Sequence, residues 1–328
     1  SHSIALTITS GSGTSGATLA GTASATAVNG IATFSNLQID TAGASYTLTA
    51  TSSGLTSAAS DSFDINAGTA STLTVTTQPV DTKSGSAFST QPVLQVSDSY
   101  GNLIQASSLT ISAAITPGTG TAGATLSGST AVASVNGVVT FTDLAIDTGG
   151  SSYSLTFSAS GVTSVASTAF ALIPASAAKL TFSVEPPGGL AGDAAALTTT
   201  VLVQDALGNV VTDAELDITL AIIAGTGDSA ATLQGTTVVT SVNGVAVFDA
   251  AKIHTAGTSY QVSASNPWVT DAQSAALNIA SGSAYQLGFG TEPGGAAGGH
   301  LFGTQPVVAI QDIYGNTVSS ASAVAVTI

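Results

Sequence analysis

An all-β chain built from tandem sandwiches is what the sequence predicts. Three observations carry that expectation: an internal repeat of 107 residues, hydrophobic alternation of period two, and tight-turn dipeptides between short apolar runs. Val-Asn-Gly stands at Val28-Asn29-Gly30, Val135-Asn136-Gly137 and Val242-Asn243-Gly244, each 107 residues after the last. The same spacing separates Gly101-Asn102, Gly208-Asn209 and Gly315-Asn316, and the prolines Pro79, Pro186 and Pro293. It separates Phe34, Phe141 and Phe248, and again Tyr46, Tyr153 and Tyr260. Markers of unrelated chemistry agree on one period without drift.

Within a period the turns and strands follow from residue type. Asn-Gly and Gly-Asn tolerate the positive φ that tight hairpins need, so they punctuate short strands. After Asn29-Gly30 a strand is expected through Ile31-Ala32-Thr33-Phe34, leading to Leu37 and Ile39. Tyr153, Leu155, Phe157 and Ala159 face one way and Ser154, Thr156 and Ser158 the other, the pattern of a half-buried strand. No stretch shows a capped 3.6-residue amphipathic pattern. About seven strands per repeat is the count a sandwich needs.

The recurrent tyrosines sharpen the class. Gly43-Ala44-Ser45-Tyr46, Gly150-Ser151-Ser152-Tyr153 and Gly257-Thr258-Ser259-Tyr260 each place a Tyr at the entrance of a late strand. Immunoglobulin-type sandwiches carry a tyrosine corner there, its hydroxyl bonded back to the chain. Two residues on, Leu48, Leu155 and Val262 occupy the position of the antibody cysteine, so an aliphatic core replaces the disulfide. The fold expected is therefore tandem immunoglobulin-like β-sandwiches, with Phe34, Phe141 and Phe248 as core residues beside the three tyrosines.

Composition narrows function by exclusion. Of 328 residues only 6% are charged, against ~25% in ordinary soluble domains, and Ser and Thr supply the polar surface. Three lysines (Lys83, Lys179, Lys252) face eighteen acids, for a net charge of −15. So few cations cannot gather phosphates, which excludes nucleic acid and anionic lipid as expected partners. Zero Cys excludes disulfides, thiolate metal sites and cysteine nucleophiles. No apolar run approaches the ~20 residues of a membrane helix, and no membrane insertion is expected.

Gln78-Pro79, the run Gln95-Val96-Ser97-Asp98-Ser99-Tyr100-Gly101-Asn102, and Asn136-Gly137-Val138-Val139-Thr140-Phe141 together resemble the bacterial Ig-like repeats of invasin- and intimin-type surface proteins. The resemblance runs over essentially the whole chain. It implies an extracellular or cell-surface setting, because such families use these modules as stalks, adhesins and surface-layer or filament components.

Linkers read Ala67-Gly68-Thr69-Ala70, Pro174-Ala175-Ser176-Ala177 and Ser281-Gly282-Ser283-Ala284. They divide the chain into a partial domain at 1–67 holding later strands, whole domains at 71–174 and 178–281, and a partial domain at 285–328 holding the first strands. Ile4-Ala5-Leu6-Thr7-Ile8 and Val324-Ala325-Val326-Thr327-Ile328 read as the same strand of the unit. Two explanations stand: the chain is a window on a longer repeat protein, or neighbouring copies complete each other's halves head to tail. The doubled strand favours the window, since it is surplus in a complemented joint.

Chemical motifs are few. Gly11-Ser12-Gly13-Thr14-Ser15-Gly16 and Gly118-Thr119-Gly120-Thr121-Ala122-Gly123 match a dinucleotide fingerprint, yet a strand follows where that fingerprint needs a helix. His2, His254 and His300 fall at unrelated repeat positions; His254 replaces Asp40 and Asp147 as a polar turn residue. No Gly-x-Ser-x-Gly elbow occurs, and the lysines fall at three different repeat positions, so no lysine isopeptide staple can recur. Asp98, Asp205 and Asp312 recur beside Gly-Asn and are the weak candidates for a calcium site, against the simpler reading that each Asp bonds its own turn. Trp268, in Asn266-Pro267-Trp268, replaces the turn glycines Gly54 and Gly161 and is the candidate contact residue, toward sugars or a neighbouring subunit. The expectation is a non-enzymatic structural protein of an extracellular filament, without catalytic residues, its partner itself in a head-to-tail or laterally associated polymer and glycans a second candidate. The alternative is the stalk of an adhesin.

Overall fold

The computed structural model describes residues 2–105, 108–191, 197–319, 324, 325 and 327, and the regular elements among them are all β-strands. Val326 and Ile328 of the expected last strand lie outside the described residues. The chain divides into two compact units, Ser1–Ile173 and Pro174–Ile328.

In the first unit a closed sandwich occupies the stretch after the first linker. One sheet orders Val138–Thr140, Val93–Ser97 and Thr72–Thr77; the other orders Ala131–Ala133, Thr110–Ile115, Leu155–Ser158 and Val165–Ala166. Between them lie Leu94, Val96, Ile111, Val139, Phe141, Leu155 and Phe157, all fully buried. Alternation does this: in Thr110–Ile115, Ile111 and Ala113 point inward while Thr110, Ser112 and Ala114 are exposed. The rings of Phe141 and Phe157 meet at 5.5 Å, and Phe88 meets Phe170 edge-on at 5.3 Å. Such contacts add roughly 1 kcal/mol each to the burial of the rings themselves.

The leading segment changes sheets. Thr72–Thr77 pairs antiparallel with Val93–Ser97, whereas Thr82–Lys83 runs parallel to Phe170–Ile173 on the other side. Pro79 falls between them, buried; lacking an N–H it ends the first ladder and permits the crossing. This division of the first strand, with the sandwich around it, is immunoglobulin-like.

The second unit repeats the design. Here Val269–Gln273 pairs with Val262–Asn266 and makes a single parallel bridge, Lys179 to Thr270, so seven strands join into one continuous sheet. Its core gathers Leu180, Val201, Val203, Ile218, Leu220, Phe248 and Val262.

Tyrosine corners are present in all three copies. Tyr46, Tyr153 and Tyr260 are fully buried, and their hydroxyls donate to the carbonyls of Thr41, Thr148 and Thr255 at 2.8, 2.9 and 3.0 Å. The residue before each, Ser45, Ser152 or Ser259, holds φ near +60°, which bulges the strand and aims the ring inward. The same corner explains the middle glycine of the fingerprint and its counterpart Gly227. A Cβ at Gly13, Gly120 or Gly227 would lie 2.2, 2.1 or 2.0 Å from the corner tyrosine's ring, and all three glycines have positive φ. The outer glycines, Gly11, Gly16, Gly118 and Gly123, meet nothing within 4 Å and are there for their positive φ.

The outer parts of the chain are open. Residues 2–67 form Ser24–Thr26, Ser3–Ile8, Leu48–Thr51 and Ala58–Ala59 in one sheet, with Gly43–Tyr46 on Phe63–Ile65. The strand expected at 31–34 is not formed there: only the Val28–Ile31 bridge closes the hairpin. In the complete repeats that strand leans on Val93–Ser97 or Thr199–Gln204, and residues 2–67 contain no counterpart of either. Phe34 is accordingly half-exposed where Phe141 and Phe248 are buried.

Gly120→Ala is expected to destabilise the first unit by about 3 kcal/mol or more, since it combines a strained φ with displacement of a buried ring. Urea unfolding followed by circular dichroism measures it; a loss below ~1 kcal/mol would mean the glycine is there for another reason.

Candidate functional site: the inter-repeat joint

The polar cluster that recurs with the repeat is built on Asp98, Asp205 and Asp312. Each follows a core strand directly and is buried. Ordinarily a buried carboxylate is costly unless hydrogen bonds replace its water. Asp98 meets that condition with four donors. Its Oδ1 accepts the backbone N–H of Tyr100 and of Asn102, both at 2.9 Å. Its Oδ2 accepts Asn102 Nδ2 at 2.9 Å and the linker N–H of Gly68 at 2.8 Å. Asp312 repeats this with Tyr314, Asn316 and Gly282, and Asp205 with Leu207, Asn209 and Ala175. One side chain therefore closes its own Gly-Asn turn and fastens the linker that enters the repeat.

Asn102 extends the cluster backward. Its Nδ2 also donates to the carbonyl of Asp40 at 2.8 Å, and its Oδ1 accepts the N–H of Ala42 at 2.8 Å. In the second unit Asn316 makes the same pair of bonds, to the His254 carbonyl at 2.7 Å and from Ala256 N–H at 2.8 Å. Two side chains, Asp98 and Asn102, thus tie three segments: a turn of one repeat, the linker, and the turn between Gln38–Ile39 and Gly43–Tyr46 of the repeat before it. Sequence reasoning saw Gly-Asn only as a hairpin signal. The usable clue was the fixed Asp-to-Asn spacing of four, which lets the amide return to the carboxylate.

Electrostatics follow from the bonds. Burial pushes the Asp98 carboxyl upward, but the Asn102 side chain and the N–H groups of Gly68, Asn102 and Tyr100 outweigh it and hold the pKa at about 2. Asp205 and Asp312 are lowered by the same set against the same burial cost.

The turn on the far side varies. Asp40 accepts Thr18 Oγ1 at 2.8 Å and Thr41 Oγ1 at 3.0 Å, which with the Thr18 N–H lower its pKa. At the third copy His254 stands instead, and its ring stacks on Tyr314 with centroids 4.1 Å apart. The Asp40 side chain bonds within its own repeat, whereas the His254 ring reaches the next repeat's turn.

The donor set does not suit calcium. Four N–H groups already point their positive ends at each recurring carboxylate, so a cation brought there meets donors rather than free lone pairs. Among the described residues no group of three or more His, Cys, Asp or Glu side chains is placed to hold a metal ion. Trp268 lies apart from the joint, in the turn between Val262–Asn266 and Val269–Gln273, 82% exposed. Asn266 Oδ1 accepts its backbone N–H at 3.0 Å and Asn266 Nδ2 holds the Asp217 carbonyl, so a pinned turn presents the indole to solvent.

The joint carboxylates give stability a defined acid edge. A depressed folded-state pKa contributes stability that is full above the unfolded value of 3.8 and is lost as pH falls toward about 2. Melting temperature is therefore expected to be insensitive to these groups from neutral pH to about 4, then to fall, with Asp98 alone accounting for roughly 2 kcal/mol. Asp98→Ala should remove its share of that edge; an unchanged acid profile would deny the clamp. Adding EDTA at neutral pH should leave the melting temperature unmoved, and a drop would restore calcium to these turns.

No protein-family model matches the sequence, and no curated protein does. Among solved structures the chain is similar to the Escherichia coli adhesin FdeC, 22% identical over 84% of this chain and 85% of that one, with a TM-score of 0.34. It is similar to InvD of Yersinia pseudotuberculosis, 19% identical over 75% and 72%, TM-score 0.34. A third is surface layer protein SbsC, domains 4–9, 15% identical over 75% of this chain and 37% of that one, TM-score 0.25. At these identities and TM-scores the likenesses carry no functional argument, and the immunoglobulin-like class rests on the strand topology and the tyrosine corners.

Proposed function

We propose that this is a non-enzymatic structural repeat protein of an extracellular filament or cell-surface fibre, its immunoglobulin-like domains joined end to end. The observation that carries this reading is the joint. The same atoms couple one repeat to the next at Asp40–Asn102 and at His254–Asn316, with the linker fastened each time. A chain that only needed flexible spacing would leave its linkers solvated; this one buries a carboxylate to hold each of them. Fixed joints between equal modules suit a load-bearing polymer. The strongly held carboxylates are committed to turns and linkers, which supports a role without catalysis or cofactor, and the chain's partner is then another copy of itself.

A second reading, the stalk of an adhesin, is favoured by Trp268 alone. A pinned turn that offers an indole to solvent suits a glycan; the same indole against a neighbouring subunit would serve the fibre instead.

Electron microscopy of the native material decides between them. Long ordered filaments with an axial spacing set by these domains are the expected result, while single flexible rods would make the chain a stalk. Trp268→Ala is expected to weaken either lateral assembly or glycan binding by about tenfold, read by sedimentation and by glycan-array binding. No change in either would remove Trp268 from the contact surface.

A further inference from the structure

The repeat at 178–281 carries a sheet face unlike that of its sister at 71–174. Its strands Lys179–Val184, Thr199–Gln204 and Val245–Phe248 pair side by side, and the register sorts the outward residues into rows. Val184, Thr200 and Val247 stand in one row, Thr181, Leu202 and Val245 in the next. The residues that alternate with them, Leu180, Val201, Val203, Ala246 and Phe248, are buried in the core. Val184 is 51% exposed and Val247 57%, while Leu202 and Val245 are half-buried. Four aliphatic side chains thus share an outer face that stays open to solvent.

The sister repeat shows that the fold does not require this. One period earlier, Thr77, Gln95 and Thr140 stand where this repeat has Val184, Leu202 and Val247. The charges differ as well: Lys179, Glu185 and Asp249 replace Thr72, Gln78 and Thr142. Lys179 opens the first strand. Glu185 and Asp249 directly follow the first and third strands, which run in the same direction, so both acids lie at the end away from Lys179. Ala275 N–H holds the Glu185 carboxylate there at 3.0 Å, and Lys179 Nζ reaches the Ala206 carbonyl at 3.5 Å. Trp268, which replaces Gly161, sits in the turn before Thr270, and Thr270 bridges to Lys179 within the same continuous sheet. The changes peculiar to this repeat therefore give one sheet an apolar middle, a cation at one end and acids at the other.

We propose that this face docks on the same face of a second copy, about a two-fold axis that sets the strands of the two copies antiparallel. Lys179 and Glu185 are about 20 Å apart along the strand, so that arrangement lays the lysine of each copy over the acids of the other. Parallel stacking would set like charge on like. A chain with a net charge of −15 repels its copies, and the three strands of this face hold no acid. An isologous contact needs a self-complementary patch, which an apolar centre between opposite charges provides. Three strands about 4.8 Å apart and about 17 Å long offer about 250 Å² a side, well below the ~800 Å² of a standard interface. One such contact is weak alone and gains strength where it recurs along two filaments side by side.

This face rests on the filament reading and specifies where filaments meet laterally. The chain has no cysteine, so a single introduced thiol reports the contact. Thr200 lies in the central strand beside the axis, and Val93 is its equivalent in the sister repeat, equally half-buried. Under mild oxidation a chain carrying Thr200→Cys is expected to give at least about tenfold more disulfide-linked two-chain product than one carrying Val93→Cys. Adding the sister's own residues, Val184→Thr, Leu202→Gln and Val247→Thr, should reduce the yield to the Val93→Cys level. The fold tolerates those residues, since the sister sandwich closes with them. Lys179→Glu, which sets like charges opposite each other, should lower the yield about threefold. Equal yields at the two thiols, no product from Thr200→Cys, or a yield that survives the sister's residues, with circular dichroism showing folded chains, would each overturn the proposal. A yield undiminished by Lys179→Glu overturns the antiparallel docking. Native filaments whose Thr200→Cys chains stay unlinked would sink this face and leave the filament reading standing; the linkage in a protein that forms no native filament would do the reverse.

Discussion

A buried carboxylate that accepts four N–H bonds fixes where each repeat begins. Asp98 cannot move without stranding the Tyr100 and Asn102 amides of its own turn, and it cannot release Gly68 without exposing a linker donor. Its neighbour Asn102 is equally committed, one hydrogen to Asp98 and one to the Asp40 carbonyl. Burying such a charge is costly, so the cluster survives only because hydrogen bonds match its lone pairs. The consequence reaches past the turn. The strand that leaves the linker, Thr72–Thr77, is held in register with Val93–Ser97, and from that pair the sandwich closes.

Closure is what separates the inner from the outer parts of the chain. Where both sheets are present, Leu94, Ile111, Phe141 and Phe157 are sealed and the rings interlock. Where one sheet is missing, the same residue types lie half in water: Phe34 at one end, Phe289 and Phe302 at the other. The difference is not propensity, because the sequences are near copies. A strand is stable when a neighbour takes its backbone groups, and residues 31–34 lack that neighbour. Local sequence proposes a strand and tertiary pairing grants it.

Much of the fold was legible for that reason, and the exceptions are instructive. Alternation in Thr110–Ile115 and around Leu155 and Phe157 named the buried face correctly. The tyrosine position gave the corner and a hydroxyl bonded back to the chain; the acceptor, a carbonyl five residues earlier, comes from the structure. Gly13 and Gly120 were visible only as a loop pattern, and Gly227 stands in a loop without that pattern; that each lies against a tyrosine ring is a contact between distant residues and leaves no local trace. The joint was half legible. Asp98 and Asn102 stood out as recurring, but recurrence of polar residues does not say that one holds the linker and the other the preceding repeat. Nor does it say that Tyr314 would meet His254, since that stacking depends on a substitution in one copy alone.

Low charge ties these features together. Soluble sheets ordinarily guard their edges with lysine, whose charge repels a second edge and whose solvation resists burial. This chain has three lysines in 328 residues, and none falls in Val307–Gln311 or in residues 31–34. Its recurring acids do not guard the edges instead, because Asp98, Asp205 and Asp312 are committed inside the joints, where they cannot repel a neighbour's edge. Serine and threonine supply much of the remaining polar surface and keep the chain hydrated, while the other acids leave its net charge at −15. An edge left unguarded by lysine, as Val307–Gln311 is, accepts whatever strand can reach it.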